Sequence, residues 1–198
     1  MKDIVEQILE LIKEKKTAEE IAEILFESRS TLYRELKESG ISIREIKSLY
    51  QDRGAIFLVR RKGAMQKNDF KEELAKYLLC DLEYVSKNFI YRYNMSVTEY
   101  QEDIKNHRKN QLTDLEFDLL KRQILFELKI EPHTLRELCM LTNRSRCYVL
   151  AALKEMDNVL GGYGRGRIKK GYYITEDNYD IELHKTWCNH WKIAMGYC

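Results

Sequence analysis

Apolar residues recur at helical spacing from the start of the chain. Ile4, Ile8, Leu11 and Ile12 predict an amphipathic helix over residues 3–15. Thr17 and Glu20, three apart, have the form of a capping box, and the helix they open turns Ile21, Ala22, Ile24 and Leu25 inward. In ESRSTLYRELKESG (27–40), Ser28 or Ser30 caps a third helix, Leu32 and Leu36 face the core, and Gly40 is the stop. Within YVSKNFIYRYNMSVTEY (84–100), Phe89 and the run 91–93 read as core and helix-packing positions, and Met95 to Tyr100 begins the next helix. The polar, aperiodic stretch NHRKNQLTD (106–114) marks a boundary. Beyond it Leu115, Leu119, Leu120, Ile124 and Leu128 predict a long amphipathic helix. After the break at Pro132, Leu135, Leu138, Val149, Leu150 and Leu153 form an inward stripe across two further helices, with Thr142 or Asn143 as the cap. The stretch GGYGRGRIKKGYYIT (161–175) reads as a β-hairpin with glycine at its tip and Tyr172 and Ile174 alternating on the return strand.

A short helix, a tight turn and a capped helix with Ser28, Arg29, Ser30, Thr31, Tyr33 and Arg34 outward is the helix-turn-helix layout. The plainer alternative is a three-helix core with a polar face. A second such layout followed by a basic hairpin looks like a winged helix over residues 113–180. Its candidate base readers are Asn143, Arg144, Ser145, Arg146 and Tyr148, because Arg can bond bidentately to guanine and Asn to adenine. Contact of Arg144 and Arg146 with phosphate alone is equally open. Arg165, Arg167, Lys169 and Lys170 charge the hairpin, which suits a minor groove or a phosphate backbone. The glycines and lysines there do not make a nucleotide loop, since GK[ST] is missing and no helix follows.

The stretch TAEEIAEILFESRSTLYRELKESGISIREIKSLYQDRGAIFLV (17–59) resembles the first helix-turn-helix and connecting helix of the AraC family. Ala22, Ser28, Arg29, Ser30, Leu32, Lys37, Gly40, Ser42, Glu45, Arg53 and Leu58 carry the likeness. A second copy, YVSKNFIYRYNMSVTEYQEDIKNHR (84–108), is similar through Tyr84, Ser86, Phe89, Met95, Ser96, Glu99 and Tyr100, with Lys87 where Arg is usual. The chain departs from the pattern at Ile46 for Tyr, Gly54 for Ala, LLC (78–80) for the family's GF, Asn94 for Gly and Val97 for Pro. The resemblance implies a double helix-turn-helix over 1–108, with one module at 1–46, a linker helix at 47–66 and the second module at 68–108. It also implies double-stranded DNA as ligand and RNA polymerase as a candidate protein contact, for which the acidic face of the first two helices is suited. Residues 181–198 form a tail for packing or a dimer contact, so monomer and homodimer both stay open.

Charge changes this picture locally. The 198-residue chain carries a net charge of only +2, so a nucleic-acid role rests on patches. RGAIFLVRRKGAMQK (53–67) holds Arg53, Arg60, Arg61, Lys62 and Lys67 with no acid, and is the candidate phosphate contact between the two modules. Residues 1–40 hold seven basic and ten acidic residues, which turns the first helix away from DNA or toward another partner. Five cysteines without a CxxC pair, and a start without a signal-peptide pattern, predict reduced thiols in a cytoplasmic protein. No apolar run approaches the roughly 20 residues of a membrane span.

His184, Cys188, His190 and Cys198 have zinc-ligand types without a common ligand spacing; Trp187 and Trp191 read better as packing residues. No nucleophile and base fall into a catalytic set, so neither an enzyme nor a cofactor is expected. The sequence thus predicts a mainly α chain of tandem helix-turn-helix bundles and a winged helix, acting as a sequence-specific transcriptional regulator on a long asymmetric site. The alternative is a protein-binding adaptor or inhibitor, of the kind a phage or mobile element encodes, that uses the same bundles as scaffolds.

Overall fold

The computed structural model describes residues 2–25, 28–38, 40–61, 67–107, 111–163 and 170–176. Among these the chain is mainly α-helical, with one two-stranded antiparallel sheet. It divides into two compact units, residues 1–119 and 120–198.

The first unit runs through α1 (Lys2–Lys13), α2 (Ala18–Leu25), α3 (Arg29–Glu38), α4 (Ile43–Arg61) and α5 (Lys67–Leu78). A 3-10 turn (Leu82–Tyr84), α6 (Val85–Tyr93), α7 (Val97–Asn106) and the start of α8 (Asp114–Ile130) complete it. Capping chemistry written in the sequence sets where helices begin. Thr17 Oγ1 accepts from the Glu20 amide while Glu20 Oε2 accepts from the Thr17 amide (3.3 and 2.7 Å). The same reciprocal pair opens α7 at Ser96 and Glu99, α8 at Thr113 and Glu116, and the α9 helix (Leu135–Thr142) at Thr134 and Glu137. Ser28 caps α3 and Ser42 caps α4 through single bonds to the Thr31 and Glu45 amides (3.2 and 3.1 Å).

Helix ends follow a second recurrent device. Lys15, Gly40, Leu79 and Asn143 all take left-handed backbone (φ 62°, 65°, 53° and 52°) just past α1, α3, α5 and α9. At Gly40 the pair of back-bonds runs from its own amide to the Lys37 carbonyl and from the Ile41 amide to the Leu36 carbonyl (3.0 and 2.9 Å). Leu79 and Cys80 reproduce that pair on Lys76 and Ala75 (3.4 and 3.2 Å). Asn94, also left-handed at φ 52°, ends α6 with a 2.8 Å bond to the Ile90 carbonyl.

α4 is the central helix of this unit, packing against α1, α5 and α7. Its Ala55, Ile56, Leu58 and Val59 join Leu74, Leu78, Val85, Phe89, Tyr93 and Tyr100 in one buried cluster. Full burial of each Val, Leu, Ile or Phe among them stabilises by about 1.5–3 kcal/mol relative to exposure. Gly54 admits the Tyr77 ring so closely that a Cβ there would lie 2.0 Å from it. Glycine at this position is therefore what lets Tyr77 of α5 lie against α4.

The second unit contains the rest of α8, then α9, α10 (Arg146–Lys154), β1 (Val159–Tyr163) and β2 (Lys170–Ile174). β1 and β2 pair antiparallel with Val159 opposite Ile174 and Tyr163 opposite Lys170. His133, between α8 and α9, adds a bridge to β2 through reciprocal bonds with Tyr172 (3.1 and 2.7 Å). Gly171 (φ 84°) allows this approach, because a Cβ there would lie 2.6 Å from the His133 carbonyl oxygen. Leu120, Ile124, Leu138, Val149, Ala152 and Tyr173 are the most deeply buried residues here.

Several expectations are corrected. Ile24 is 55% exposed, so the inward face of α2 is Ile21 and Ala22. Tyr91 is 89% exposed, and only Phe89 and Tyr93 of that aromatic run are core. Neither Thr142 nor Asn143 starts α10: Asn143 is the left-handed terminator of α9, and Ser145, in extended backbone, stands at the cap. On β2 it is Tyr173 that is buried while Tyr172 and Ile174 are half-buried, the opposite phase of the expected alternation. The expected base of the first module's last helix and the linker helix form one uninterrupted α4. No helix among the described residues is long and apolar enough to cross a membrane.

Candidate nucleic-acid interface

α3 buries Leu32 and Leu36, four residues apart, and thereby turns Ser30, Tyr33, Arg34 and Lys37 out on the opposite side. Ser28 is exposed but occupied at the cap, where its hydroxyl also bonds the Thr31 hydroxyl (3.1 Å). Arg29, at the first helical position, is ion-paired with Glu19 of α2 and lies 5.3 Å from the centre of the Tyr33 ring. The Tyr33 side chain, and then Glu19, hold its guanidinium above the ordinary arginine value. Both members of the Arg29–Glu19 pair are more than half exposed, so an anion in solution can compete for the arginine.

α6 carries Val85 and Phe89 at the same four-residue spacing, yet faces outward differently. Lys87 is exposed, beside Ser86, Ile90 and Tyr91; Leu82, Glu83 and Tyr84 of the preceding turn are exposed as well. Its one arginine turns inward. Arg92 binds Asp52 Oδ1 through Nε and Nη2 (3.1 and 2.7 Å), the Gln51 side chain (2.8 Å) and both oxygens of Ser48. Tyr93 donates to Asp52 at 2.9 Å, and Gln51 donates to the Leu78 carbonyl at 2.6 Å. Asp52 is 2% exposed, so this network ties α4 to α6 and to the end of α5 through a buried charge. Burial works against the Arg92 charge, but the hydrogen bond and attraction of Asp52 outweigh it and raise its pKa. Burial, and then the Asp52 charge, push the Tyr93 phenol well above its ordinary value.

The expected basic patch at 53–67 divides. Arg60 is bound to Glu116 and to the Gln111 carbonyl (2.7 Å to the latter), and Glu116, at 1% exposure, is also the capping-box acid of α8. The Glu116 hydrogen bond raises the Arg60 pKa. That guanidinium is thus a structural partner of α8 instead of a free phosphate contact. Arg53 and Arg61 are exposed, Arg61 lying 6.0 Å from the centre of the exposed Phe57 ring. Lys62 lies outside the described residues.

In the second unit α10 buries Val149, Ala152 and Leu153 and exposes Arg146, Cys147 and Lys154, with Ser145 exposed at its cap. Asn143 is exposed; Arg144 and Tyr148 are half-buried. The Arg144 amide closes the α9 terminus on the Cys139 carbonyl (3.2 Å). Lys170 is exposed at the start of β2. Arg165, Arg167 and Lys169, together with the 181–198 tail, lie outside the described residues.

Lys37, a position of the helix-turn-helix likeness, and Lys154, which the sequence pattern does not single out, also belong to these outward faces. Two more escaped the sequence reading on α4: Arg44 and Lys47 are exposed there. Comparisons with protein-family models, with curated proteins and with solved structures return no match.

Proposed function

We propose that the chain is a sequence-specific DNA-binding transcriptional regulator without catalytic activity, built on an AraC-like pair of helix-turn-helix modules and a winged helix. The observation that carries the reading is the outward face of α3. The short helix α2 precedes a capped helix whose exposed positions are Arg29, Ser30, Tyr33, Arg34, Lys37 and Glu38, with no lysine or arginine of that helix buried. Guanidinium and hydroxyl groups on the first turns of such a helix are the groups that read major-groove edges. The order α8, the His133 bridge, α9, α10 and the β1–β2 hairpin supports the winged-helix reading, with Arg146 and Lys154 on its exposed helix face. Duplex DNA is the ligand and no cofactor is required. RNA polymerase is the proposed protein contact.

A second reading, a protein-binding adaptor or inhibitor, draws on α6. Its exposed Ile90 and Tyr91, with Leu82 and Tyr84 just before it, form an apolar surface ill suited to phosphate. Selection from a random duplex library, followed by titration of the winner over a salt series, separates the two. Recovery of a motif longer than one helix-turn-helix footprint supports the regulator. Sequence-blind or absent binding overturns it in favour of the adaptor.

A further inference from the structure

The sequence of α4, IREIKSLYQDRGAIFLVRR, contains five basic and two acidic residues. The fold sorts them by sign. Asp52 is buried with Arg92, Glu45 is half-buried beside the Ser42 cap, and Arg60 is drawn inward to Glu116. The exposed residues that remain along the helix are Arg44, Lys47, Arg53, Phe57 and Arg61. Among the described residues no acid pairs with any of those four cations. At about 100° per residue they occupy the outer half of the helix, with Lys47 and Arg61 near its middle and Arg53 and Arg44 at its two edges, and about 1.5 Å of rise per residue spreads them over about 25 Å.

We infer that this outer face of α4 is a docking surface for the phosphate backbone of duplex DNA, held by Arg44, Lys47, Arg53 and Arg61. The inference rests on the DNA-binding reading and adds to it a surface that carries affinity without base readout. An unpaired row of cations releases counterions when it meets a polyanion, and a duplex strand offers a phosphate about every 3.4 Å along its axis. A lipid surface fits less well. A helix lying in a membrane inserts a broad apolar face, and the apolar side of α4 is already buried as Ala55, Ile56, Leu58 and Val59, leaving Phe57 alone outside.

The test uses the full chain and a variant combining R44Q, K47Q, R53Q and R61Q, with R53Q alone as the second variant should the first fail to fold. Binding to a random-sequence duplex and to the selected duplex is titrated between about 50 and 200 mM salt, where each lost phosphate contact removes about 0.9 from the log–log slope. The slope is expected to fall by about 3.6 for the combined variant and about 0.9 for R53Q on both duplexes. The preferred motif should stay the same. An unchanged slope in R53Q and the combined variant overturns the inference. Tighter α4-dependent binding to phosphatidylserine vesicles than to duplex overturns it too, assigning the face to lipid. If no motif is selected but the slope on random duplex still depends on these residues, the sequence-specific reading fails and the α4 surface stands.

Discussion

α3 and the segment from Asp81 through α6 can be laid side by side. Leu32 and Leu36 correspond to Val85 and Phe89, Gly40 to Asn94, the caps Ser42 to Ser96, and the buried Ile46 to Tyr100. Each of these inward or terminal positions has a counterpart of the same physical kind, while the buried Tyr93 of α6 has none in α3. The outward positions do not match: Arg29, Ser30, Tyr33, Arg34 and Lys37 face Leu82, Glu83, Ser86, Lys87 and Ile90. Core packing and backbone termini fix a bundle, while the exposed side of its helix is free to acquire another chemistry. In α6 the arginine has moved to the inner side, where Arg92 serves the fold instead of a ligand.

The sharpest break between the two helices is therefore Arg92→Ala against Arg34→Ala, read by denaturant unfolding. Arg92→Ala leaves Asp52 charged and buried, and is expected to lose about 3–5 kcal/mol of stability. Arg34→Ala, on an exposed face, should stay within about 0.5 kcal/mol. Equal losses would dissolve the distinction. Gly54→Ala drives a Cβ into the Tyr77 ring and is expected to cost about 1–3 kcal/mol, with Tyr77→Ala in the same chain removing most of the added penalty. A full, undiminished penalty in the double variant would place the strain elsewhere.

On a selected duplex, Arg34→Ala should weaken binding by about 1–3 kcal/mol and relax preference at one position if it reads a base. Tyr91→Ala should leave motif and affinity alone; a changed motif would bring α6 back among the readers. The termini give a smaller, signed test by thermal melting. Gly40 stands in open space at φ 65°, so Gly40→Ala pays only for left-handed backbone and should destabilise by about 1 kcal/mol. Leu79→Gly at the matching end of α5 should stabilise by up to about 1 kcal/mol, since Leu79 already bears that strain. Two effects of the same sign would contradict the shared terminator.

The smallest effect concerns pH. Backbone and then side-chain hydrogen bonds from Thr17, Ser96 and Thr134 lower the pKa of Glu20, Glu99 and Glu137. A carboxylate lowered in the folded state contributes stability that is fully present above its ordinary value of about 4.3 and is lost as pH falls below it. Replacing all three with Gln should flatten the fall in melting temperature from about pH 5 to pH 3, set by that ordinary value. An unchanged slope would show that the capping bonds contribute nothing to acid sensitivity.

Much of the architecture is legible in the chain itself. The Thr17–Glu20 box, the Ser28 cap, the Gly40 stop and the stripe Leu119, Leu120, Ile124 and Leu128 all involve residues within a few turns of one another, and all appear as read. Lys15 and Leu79 are not legible as terminators, because neither side chain favours left-handed backbone; Asn143 is of a type that does, but nothing local marks it as a stop instead of a start. Local pattern thus determines which segments are helices, where they start, and which side of α3 is apolar.

The destination of each charge is a different matter. Composition treats the five cations of α4 alike, yet Arg60 is taken by Glu116, 56 positions away, and Asp52 by Arg92, 40 positions away. A buried carboxylate demands a cation, and which cation lies within reach is settled by how α4 packs against its neighbours. Only the tertiary structure separates the charges that hold this protein together from those left exposed on its surface.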